Sequence, residues 1–431
     1  ARLSFVLREQ IPQPDTCTPP PSLTLSQLAS TYLGQTPYPV NVADFQPGYV
    51  DRFIIRAGPT PSVAQQQAVL DLVARLTQLY RPMPVGVDVD TSPDPAPPGP
   101  PTQRVIEVRD AAPAGLTVEN PDSPDARLVI SGGGDQLRQQ VELFADRRIK
   151  LAQTPSATVR TATADAPEAT TVKTFGQLGM TAQISVLGAT TMYVGVDISR
   201  FAAGSVQDAK VHLIAHYSPV IGGEASVVIR SGTTVLAARR LDESGLLDIT
   251  GTIPGESIES TVGIAVELRY LPNQQCAPLN NRLQFSLDPA STIAVTAGSH
   301  NRGGFPALPM AFTPDFDVAV DQPDHLRFAA EAINLMAQQT AATLRPRVAT
   351  MSAGAASGRG LLVVARGEDL ARAGLTPPVL PGKGTATGIG GNPDTDVDLG
   401  GPVGVVEAFS QQGRMVLAIT GTDDWALVER S

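Results

Sequence analysis

FVLREQIPQPDTC (residues 5–17) and AVELRYLPNQQC (residues 265–276) are the two stretches on which the reading of this chain turns. Each is an alternating apolar–polar run, the period of a half-buried strand, followed by a polar loop that ends in Cys. The segments downstream of the two cysteines also match. After Cys17 come SLTLSQLASTYLG (22–34), the Pro-rich corner PYPVNVADF (37–45) and the strand DRFIIRAG (51–58). After Cys276 come RLQFSLDPASTIAVTAG (282–298), the corner GGFPALPMAF (303–312) and the strand FDVAVDQ (316–322). The spacings agree within a few residues, so the chain reads as one module used twice.

Outward from these anchors the likeness continues. Ser62–Tyr80 carries Val63, Ala64, Ala68, Val69, Leu72, Val73, Leu76 and Leu79 at helical spacing, and His325–Leu344 carries Leu326, Ala329, Ala330, Ile333, Leu335 and Met336. A short strand comes next in each copy, RVIEVR (104–109) and GLLVVAR (360–366). Each copy then closes with a buried-type strand, a Gly turn and an acidic helix start, RLVISGGGDQLRQQVELF (127–144) and MVLAITGTDDWALVERS (415–431). Strands alternating with amphipathic helices predict an open α/β sheet in each copy.

Residues 153–171, rich in Thr, Ala, Ser and Pro, read as a linker. From Val172 to about Phe305 helical periodicity is nearly absent. Instead MYVGVDI, KVHLIAHYS, ASVVIRSG, TVLAARRL, LLDITGTI, VGIAVELRY and LQFSLD succeed one another at the spacing of a β-sandwich, with a hairpin turn through Gly232. The first copy keeps only the closing strands of such a sandwich. The expected layout is therefore the end of a first β-sandwich (1–46), a first α/β domain (47–152), the linker (153–171), a complete second β-sandwich (172–312) and a second α/β domain (313–431).

Composition agrees with several domains in 431 residues, and the 39 glycines and 38 prolines favour turn-rich β structure. A formal charge of −10 without a basic cluster argues against nucleic acid as a partner, because phosphate contacts need grouped Arg and Lys. No stretch approaches the roughly 18–20 apolar residues that span a bilayer. The chain opens at Ala1 without a signal-like run and holds an incomplete β-unit. It is expected to be a piece of a longer product, trimmed at both ends.

The residues that could carry chemistry each have a plainer reading. His212 and His216 form H-x-x-x-H, which on a helix would put two metal ligands on one face. Here they lie in a strand, where about 3.3 Å per residue sets the rings about 13 Å apart, too far for one zinc ion. His300 and His325 are expected to face solvent. PGKGTATGIGG (381–391) lacks the Ser or Thr after Lys383 and has Pro377 where a P-loop needs Gly. SGGGD (131–135) could cradle an anion at a helix N-terminus, but a tight turn with Asp135 as N-cap is the favoured reading. Asp394, Asp396 and Asp398 in a Gly-Pro loop read as a solvated or weakly calcium-binding surface. No G-x-S-x-G elbow and no paired acids in a cleft are apparent, so the expectation is no catalytic residue, no metal set and no cofactor. Among the tyrosines of the β-unit, Tyr193, Tyr217 and Tyr270, a core role is favoured, with Tyr217 at the strand end before Ser218-Pro219 the expected exposed one and the candidate carbohydrate contact.

The β-unit also carries a longer string. TFGQLG (174–179), VHLIAHYSPVIGGEASVVIRSGTTVLAARRL (211–241), LRYLPNQQCAPLNNRLQFSLDPASTIAV (268–295) and GGFP (303–306) resemble the extracytoplasmic B subunit of bacterial cellulose synthase, the BcsB family. The resemblance covers nearly the whole chain, most specifically residues 172–330. It implies a repeated jelly-roll, carbohydrate-binding-like β-sandwich followed by a flavodoxin-like α/β domain. It further implies a non-catalytic accessory subunit outside the cytoplasmic membrane, anchored by a segment missing here. Its partners would be a membrane-embedded family-2 glycosyltransferase, the cellulose synthase catalytic subunit, and the β-glucan that it exports. In such an exported setting Cys17 and Cys276, at equivalent points of the repeat, could form a bridge, stay as two free thiols or pair elsewhere. With one tryptophan, Trp425, the chain departs from the aromatic-rich surfaces that stack on sugars. The rival reading is a free-standing cell-surface module that binds polysaccharide or protein.

Overall fold

The computed structural model describes residues 24–27, 29, 37–94, 98–158, 170–273, 282–381, 386–387, 396–397, 402–422 and 425–430. The first α/β module starts with β1 (Arg52–Arg56), α1 (Val63–Tyr80), β2 (Gly86–Asp90) and β3 (Gln103–Asp110). It continues through β4 (Gly115–Glu119), β5 (Arg127–Gly132), α2 (Asp135–Phe144) and the two-residue β6 (Ser156–Ala157). Strand order is β2-β1-β3-β5-β4-β6, parallel as far as β5 and antiparallel beyond. The strands alternate in burial, because among the described residues only one face of the sheet is covered by helices. Ser62 caps α1 by accepting the Gln65 N–H, while the Gln65 side chain returns to the Ser62 N–H, satisfying two of the helix's free donors.

The β-sandwich runs from β7 (Val172–Thr174) and the one-turn α3 (Phe175–Leu178) through β8 (Gln183–Val186) and β9 (Gly188–Asp197). Next are β10 (Val206–Tyr217), β11 (Gly223–Ser231), β12 (Thr234–Leu241) and β13 (Leu246–Pro254). β14 (Thr261–Pro272), β15 (Leu283–Leu287) and β16 (Thr292–Ala297) complete it. One sheet has the order β12-β11-β14-β9; the other has β7-β16-β10-β15-β8, with β13 on β10. All seven expected strands are present. The turn between β11 and β12 puts Gly232 at φ +54°, a conformation that costs glycine little. The stretch around TFGQLG is a helical turn ended by Gly179 at φ +74°.

The second α/β module contains β17 (Phe316–Val320), α4 (Leu326–Gln339), β18 (Pro346–Val348), α5 (Met351–Ala356), β19 (Gly360–Val364) and α6 (Gly367–Arg372). After a small three-stranded sheet of β20 (Leu380–Pro381), β21 (Ala386–Thr387) and β22 (Asp396–Val397) come β23 (Gly404–Gln411) and β24 (Arg414–Gly421). Its main sheet has the order β18-β17-β19-β24-β23, parallel except for β23. Here β19 and β24 are buried at every position. Leu362 and Val364 join the core under α4, while Leu361 and Val363 join a second core with α5 and α6.

Three boundaries differ from expectation. The sandwich is built around residues 172–196 and 208–295, whereas 35–171, 197–207 and 296–431 form one compact unit holding both α/β modules. The Pro-rich corners, assigned to the sandwiches from sequence, therefore belong to that unit. Both are short 3-10 turns, Val42–Phe45 and Met310–Phe312, whose Val42, Phe45 and Phe312 are fully buried in the α/β core. Proline and aromatic residues at such a corner pack well without making a ladder. Finally, α4 stops at Gln339, where the Thr340 hydroxyl and the Ala341 N–H both donate to Asp197. Among the described residues no helix is long and apolar enough to cross a membrane.

Within the α/β unit, α1 and α4 pack on one another. The Thr77 hydroxyl meets Asn334 Oδ1 at 2.6 Å, and Asn334 Nδ2 donates to Val85 O ahead of β2. Gln67 Nε2 donates to Pro346 O, and Gln67 Oε1 accepts the Val348 N–H. α1 thus satisfies edge groups of β18 in the other module through Gln67, while α4 stands beside the edge strand β2 and bonds it only at Val85 O.

Candidate functional site

Strand parity decides what the sandwich shows to solvent. In the four-stranded sheet Met192, Val194 and Val196 of β9 are buried, as are Val227 and Ile229 of β11 and Val262, Ile264, Val266, Leu268 and Tyr270 of β14. The intervening residues form the outer face. There Tyr193 is 76% exposed, and a Cβ built on Gly195 or Gly263 would meet nothing within 4 Å. Register puts Val228 opposite Glu267 and Ser226 between Arg240 and Arg269. Arg230 pairs with Glu267 at 3.3 Å and Arg240 with Glu224 at 3.2 Å. These exposed pairs stabilise the fold by less than about 1 kcal/mol. What they provide is a low-relief face of planar hydrogen-bonding groups with one free aromatic ring.

The other sheet carries both strand histidines on its outer face. His212 Nε2 lies 2.8 Å from Asp248 Oδ1, and His216 Nε2 lies 2.9 Å from Asp288 Oδ2. Each imidazole has its own carboxylate, and they do not converge on one point. The Ala290 N–H and then His216 hold the Asp288 carboxyl below its ordinary range. Gln284 Nε2 donates to Ser185 Oγ beside them, extending a polar strip. Among the described residues no group of three His, Cys, Asp or Glu is placed to hold a metal ion.

Tyr217 is a correction. It is 8% exposed, and its hydroxyl donates to Asp242 Oδ1 at 3.0 Å while accepting the Asp242 N–H. Its parity is that of Val211, Leu213 and Ala215, which point inward, so the ring goes with them. The exposed tyrosine is Tyr193, expected in the core. It alternates with Met192 and Val194 and shares its side with Gly195, a signal present in the sequence but outweighed by the general burial of aromatics. Tyr270 is buried as expected.

In open α/β sheets ligands bind where strand order reverses, at the carboxyl ends of the strands. In the first module that place, between β1 and β3, holds Gln65, whose Nε2 donates to Ala57 O and Val108 O, and the Ser62 hydroxyl donates to Asp110. In the second module it holds Asp321, which accepts the Arg366 N–H on Oδ2 and meets His325 Nδ1 at 2.5 Å on Oδ1. Trp425 lies over that imidazole with ring centroids 3.7 Å apart. His325 is 2% exposed, against the expectation of a solvent-facing ring, because it opens α4 where Phe328 and Trp425 close around it. His300 is exposed as expected and bonds Ser299.

The SGGGD segment is the tight turn. Gly134, not Asp135, is the N-cap of α2, at φ +52°, and Asp135 is the first helical residue, where its charge favours the helix dipole. A Cβ on Gly132 would sit 2.7 Å from the Leu137 N, so the strand-to-helix approach requires glycine. Cys17, Cys276, Lys383, Asp394 and Asp398 lie outside the described residues, as does the side chain of Asp396.

No protein-family model matches the chain, and no curated protein matches it. Solved structures with some likeness include the VP2 subviral particle of infectious bursal disease virus, at 15% identity and TM-score 0.19, over 30% of this chain and 32% of that one. TmCBM61 in complex with beta-1,4-galactotriose is 9% identical at TM-score 0.17, over 27% of this chain and 69% of that one. A CBM4 module is 12% identical at TM-score 0.17, over 29% of this chain and 85% of that one. The matched stretch thus spans about a third of the capsid chain.

Proposed function

We propose that this chain is a non-catalytic accessory subunit whose β-sandwich holds an extended polysaccharide on the outer face of its four-stranded sheet. The observation that carries this reading is Tyr193. A ring 76% exposed on an open sheet, on the same strand face as Gly195, offers a flat apolar surface to the C–H face of a pyranose. Arg269, Ser226 and the Arg230–Glu267 pair on the same face supply donors and acceptors for hydroxyls. Contact at a shallow face lets a polymer slide, which suits guiding a chain better than trapping one.

The finer reading is that of the BcsB family. The sandwich would be its jelly-roll, and the parallel order β2-β1-β3-β5, repeated as β18-β17-β19-β24, is the first four strands of the flavodoxin-like order 2-1-3-4-5. In that role the chain would stand outside the cytoplasmic membrane against a family-2 glycosyltransferase, stabilise it and guide the emerging β-glucan, held to the membrane by a segment beyond this sequence. Two features support a structural rather than catalytic part. The switch-point crevices are filled by the chain's own Gln65 and by Asp321 with His325. The sandwich faces carry self-paired ions.

Retention on amorphous cellulose tests the binding step. Tyr193→Ala should weaken it roughly tenfold, about 1.4 kcal/mol, with an unchanged unfolding midpoint, whereas Tyr217→Phe should leave retention alone. Equal retention of Tyr193→Ala and the parent would remove the proposed surface. Co-purification of the full-length protein with a membrane glycosyltransferase tests the partner; recovery of the protein without one would favour the free-standing surface module.

A further inference from the structure

Helix α4 and the edge strand β2 enclose a groove of about 430 Å³, lined by Gly86–Val89 on one wall and by Arg327, Glu331 and Leu335 on the other. In the ladder between β1 and β2 the Gly86 N–H donates to Asp51 O, and Asp90 O accepts from the Ala57 N–H. Even-numbered residues of β2 therefore face β1. The N–H and C=O of Val87 and Val89 point the other way, along the open edge and into the groove. Asn334 Nδ2 donates to Val85 O, at the end of this edge, while its Oδ1 accepts from Thr77 and Gln338.

The pseudo-equivalent place in the other module shows what chemistry such an edge accepts. There β18 is the edge strand, and the Gln67 carboxamide donates to Pro346 O at 2.8 Å and accepts from the Val348 N–H at 2.9 Å. An amide that bonds the C=O of one residue and the N–H two residues on reproduces the contact of a neighbouring parallel strand. Along β2 the corresponding pair is Val87 C=O and Val89 N–H, and α4 supplies no side-chain amide there. The groove stands where the other edge is filled.

We propose that this groove receives an extended peptide segment of a partner protein, added as a further strand on β2. Main-chain bonds to Val87 and Val89 would give affinity. Glu331 on α4 would meet a basic side chain of the incoming segment, and Leu335, 53% exposed, would cover an apolar side chain at one end. Among the described residues these edge groups have no partner, and they recur at peptide spacing, about 6.6 Å for two residues, which fits a peptide and not a row of sugar hydroxyls. The segment must be free of its own sheet on one side.

The test is selection from a random heptapeptide library displayed on phage, with the whole chain immobilised and Val89→Pro as counter-target. Val89→Pro removes an edge donor and leaves the β1 ladder bonds intact, a position where proline is tolerated in strands. Glu331→Trp, which fills the groove from the helix side, guards against misfolding of the first variant. The expected result is a set of synthetic peptides that bind the parent at least tenfold more tightly than either variant and slow hydrogen exchange at the Val87 and Val89 amides. Failure to obtain any clone that both variants weaken would overturn the proposal. So would protection of the same amides by cellohexaose instead, or by Val89-dependent dimerisation of the chain.

Discussion

Glu107 of the first α/β module and Val363 of the second hold the same place in their sheets. Ile55 pairs with Ile106 as Val318 pairs with Leu362, with all four residues on the side facing the α1–α4 core, so the next residue in each strand points to the far side. Continuing the registers matches Arg127 with Val416, Glu119 with Phe409 and Thr117 with Glu407. In the second module the far side is the core under α5 and α6, and Val363 and Val416 are 0% exposed. In the first it carries no helix among the described residues. There Arg127 bonds Glu119 at 2.7 Å, and Arg109 bonds Glu107 and Glu119 at 2.7 Å each. One strand order serves a two-layer and a three-layer module. The choice is made by which residue types occupy a handful of outward positions.

The sharpest way to break this comparison is to exchange those residues. Val363→Glu puts a carboxylate among the packed side chains of Leu361, Leu370, Val416 and Ala418, so the chain should lose several kcal/mol, enough to unfold the second module at 25 °C. Urea unfolding followed by far-UV circular dichroism reads this directly. A cost under about 1 kcal/mol would mean that the far side of the second sheet opens to water.

A smaller effect separates the two closed crevices. Asp321→Ala leaves His325 Nδ1 buried without its partner and should cost about 1–3 kcal/mol. Because Trp425 is the only tryptophan, its emission should change with this variant and stay constant with Gln65→Ala, the matching change in the first module. Equal emission in both would show that the Trp425 contact does not depend on Asp321.

The two modules also differ at one titratable place. Burial pushes the Glu407 carboxyl up from 4.5 to about 7, opposed only by the Val379 N–H on one oxygen, while its counterpart Thr117 does not titrate. The folded value lies above the unfolded one. The strain is therefore absent below about pH 4.5, where both states are protonated, and complete above about pH 7. Glu407→Gln should stabilise the chain by about 1–2 kcal/mol at pH 8, a figure reduced because the side chain is half-buried, and by nothing at pH 4. The difference between the two unfolding midpoints should grow through that window; a constant difference would place the carboxyl in water. Asp71 in α1, raised to about 6 by burial first, contributes with the same sign, so the measurement is made against the parent at each pH.

Much of this contrast is legible in the sequence. RVIEVR alternates and GLLVV does not, which is the difference between a strand with one dry face and a strand with two. The likeness of the two α/β modules, the helix start at Ser62 and the seven central sandwich strands come from short-range pattern and hold in the structure, whereas most of the first β-unit lies outside the described residues. What escaped depends on contacts far apart in the chain. The edge strand β2 sits in a Pro- and Asp-rich stretch whose β-branched residues before Thr91 are Val85, Val87 and Val89, and is stabilised by its ladder to β1. The corners at 37–45 and 303–312 read as ends of sandwiches, but their buried aromatics find their partners in the α/β core. His325 looks like a polar helix start until the strand ends bring Asp321 and Trp425 to it. At Tyr193 the parity was visible and the average burial of tyrosine prevailed over it, while at Tyr217 the position at the strand end prevailed over both.

The smallest expected change runs the exchange the other way. Glu107→Val, Glu119→Phe and Arg127→Val together would give the first module the far-side residues of the second. The ion lattice removed is a third exposed on average, so its loss should cost no more than about 1 kcal/mol, partly offset by better strand formers. Stability should hardly move, yet the variant gains an apolar face that no helix among the described residues covers. Such a face drives association rather than unfolding. Light scattering should therefore show dimers or larger species for the triple variant at a urea midpoint close to the parent's. If the midpoint falls by several kcal/mol while the protein stays monomeric, the lattice of Arg109, Arg127, Glu107 and Glu119 is holding strands β3, β4 and β5 together. The first module would then owe its sheet to ion pairs where the second owes it to two hydrophobic cores.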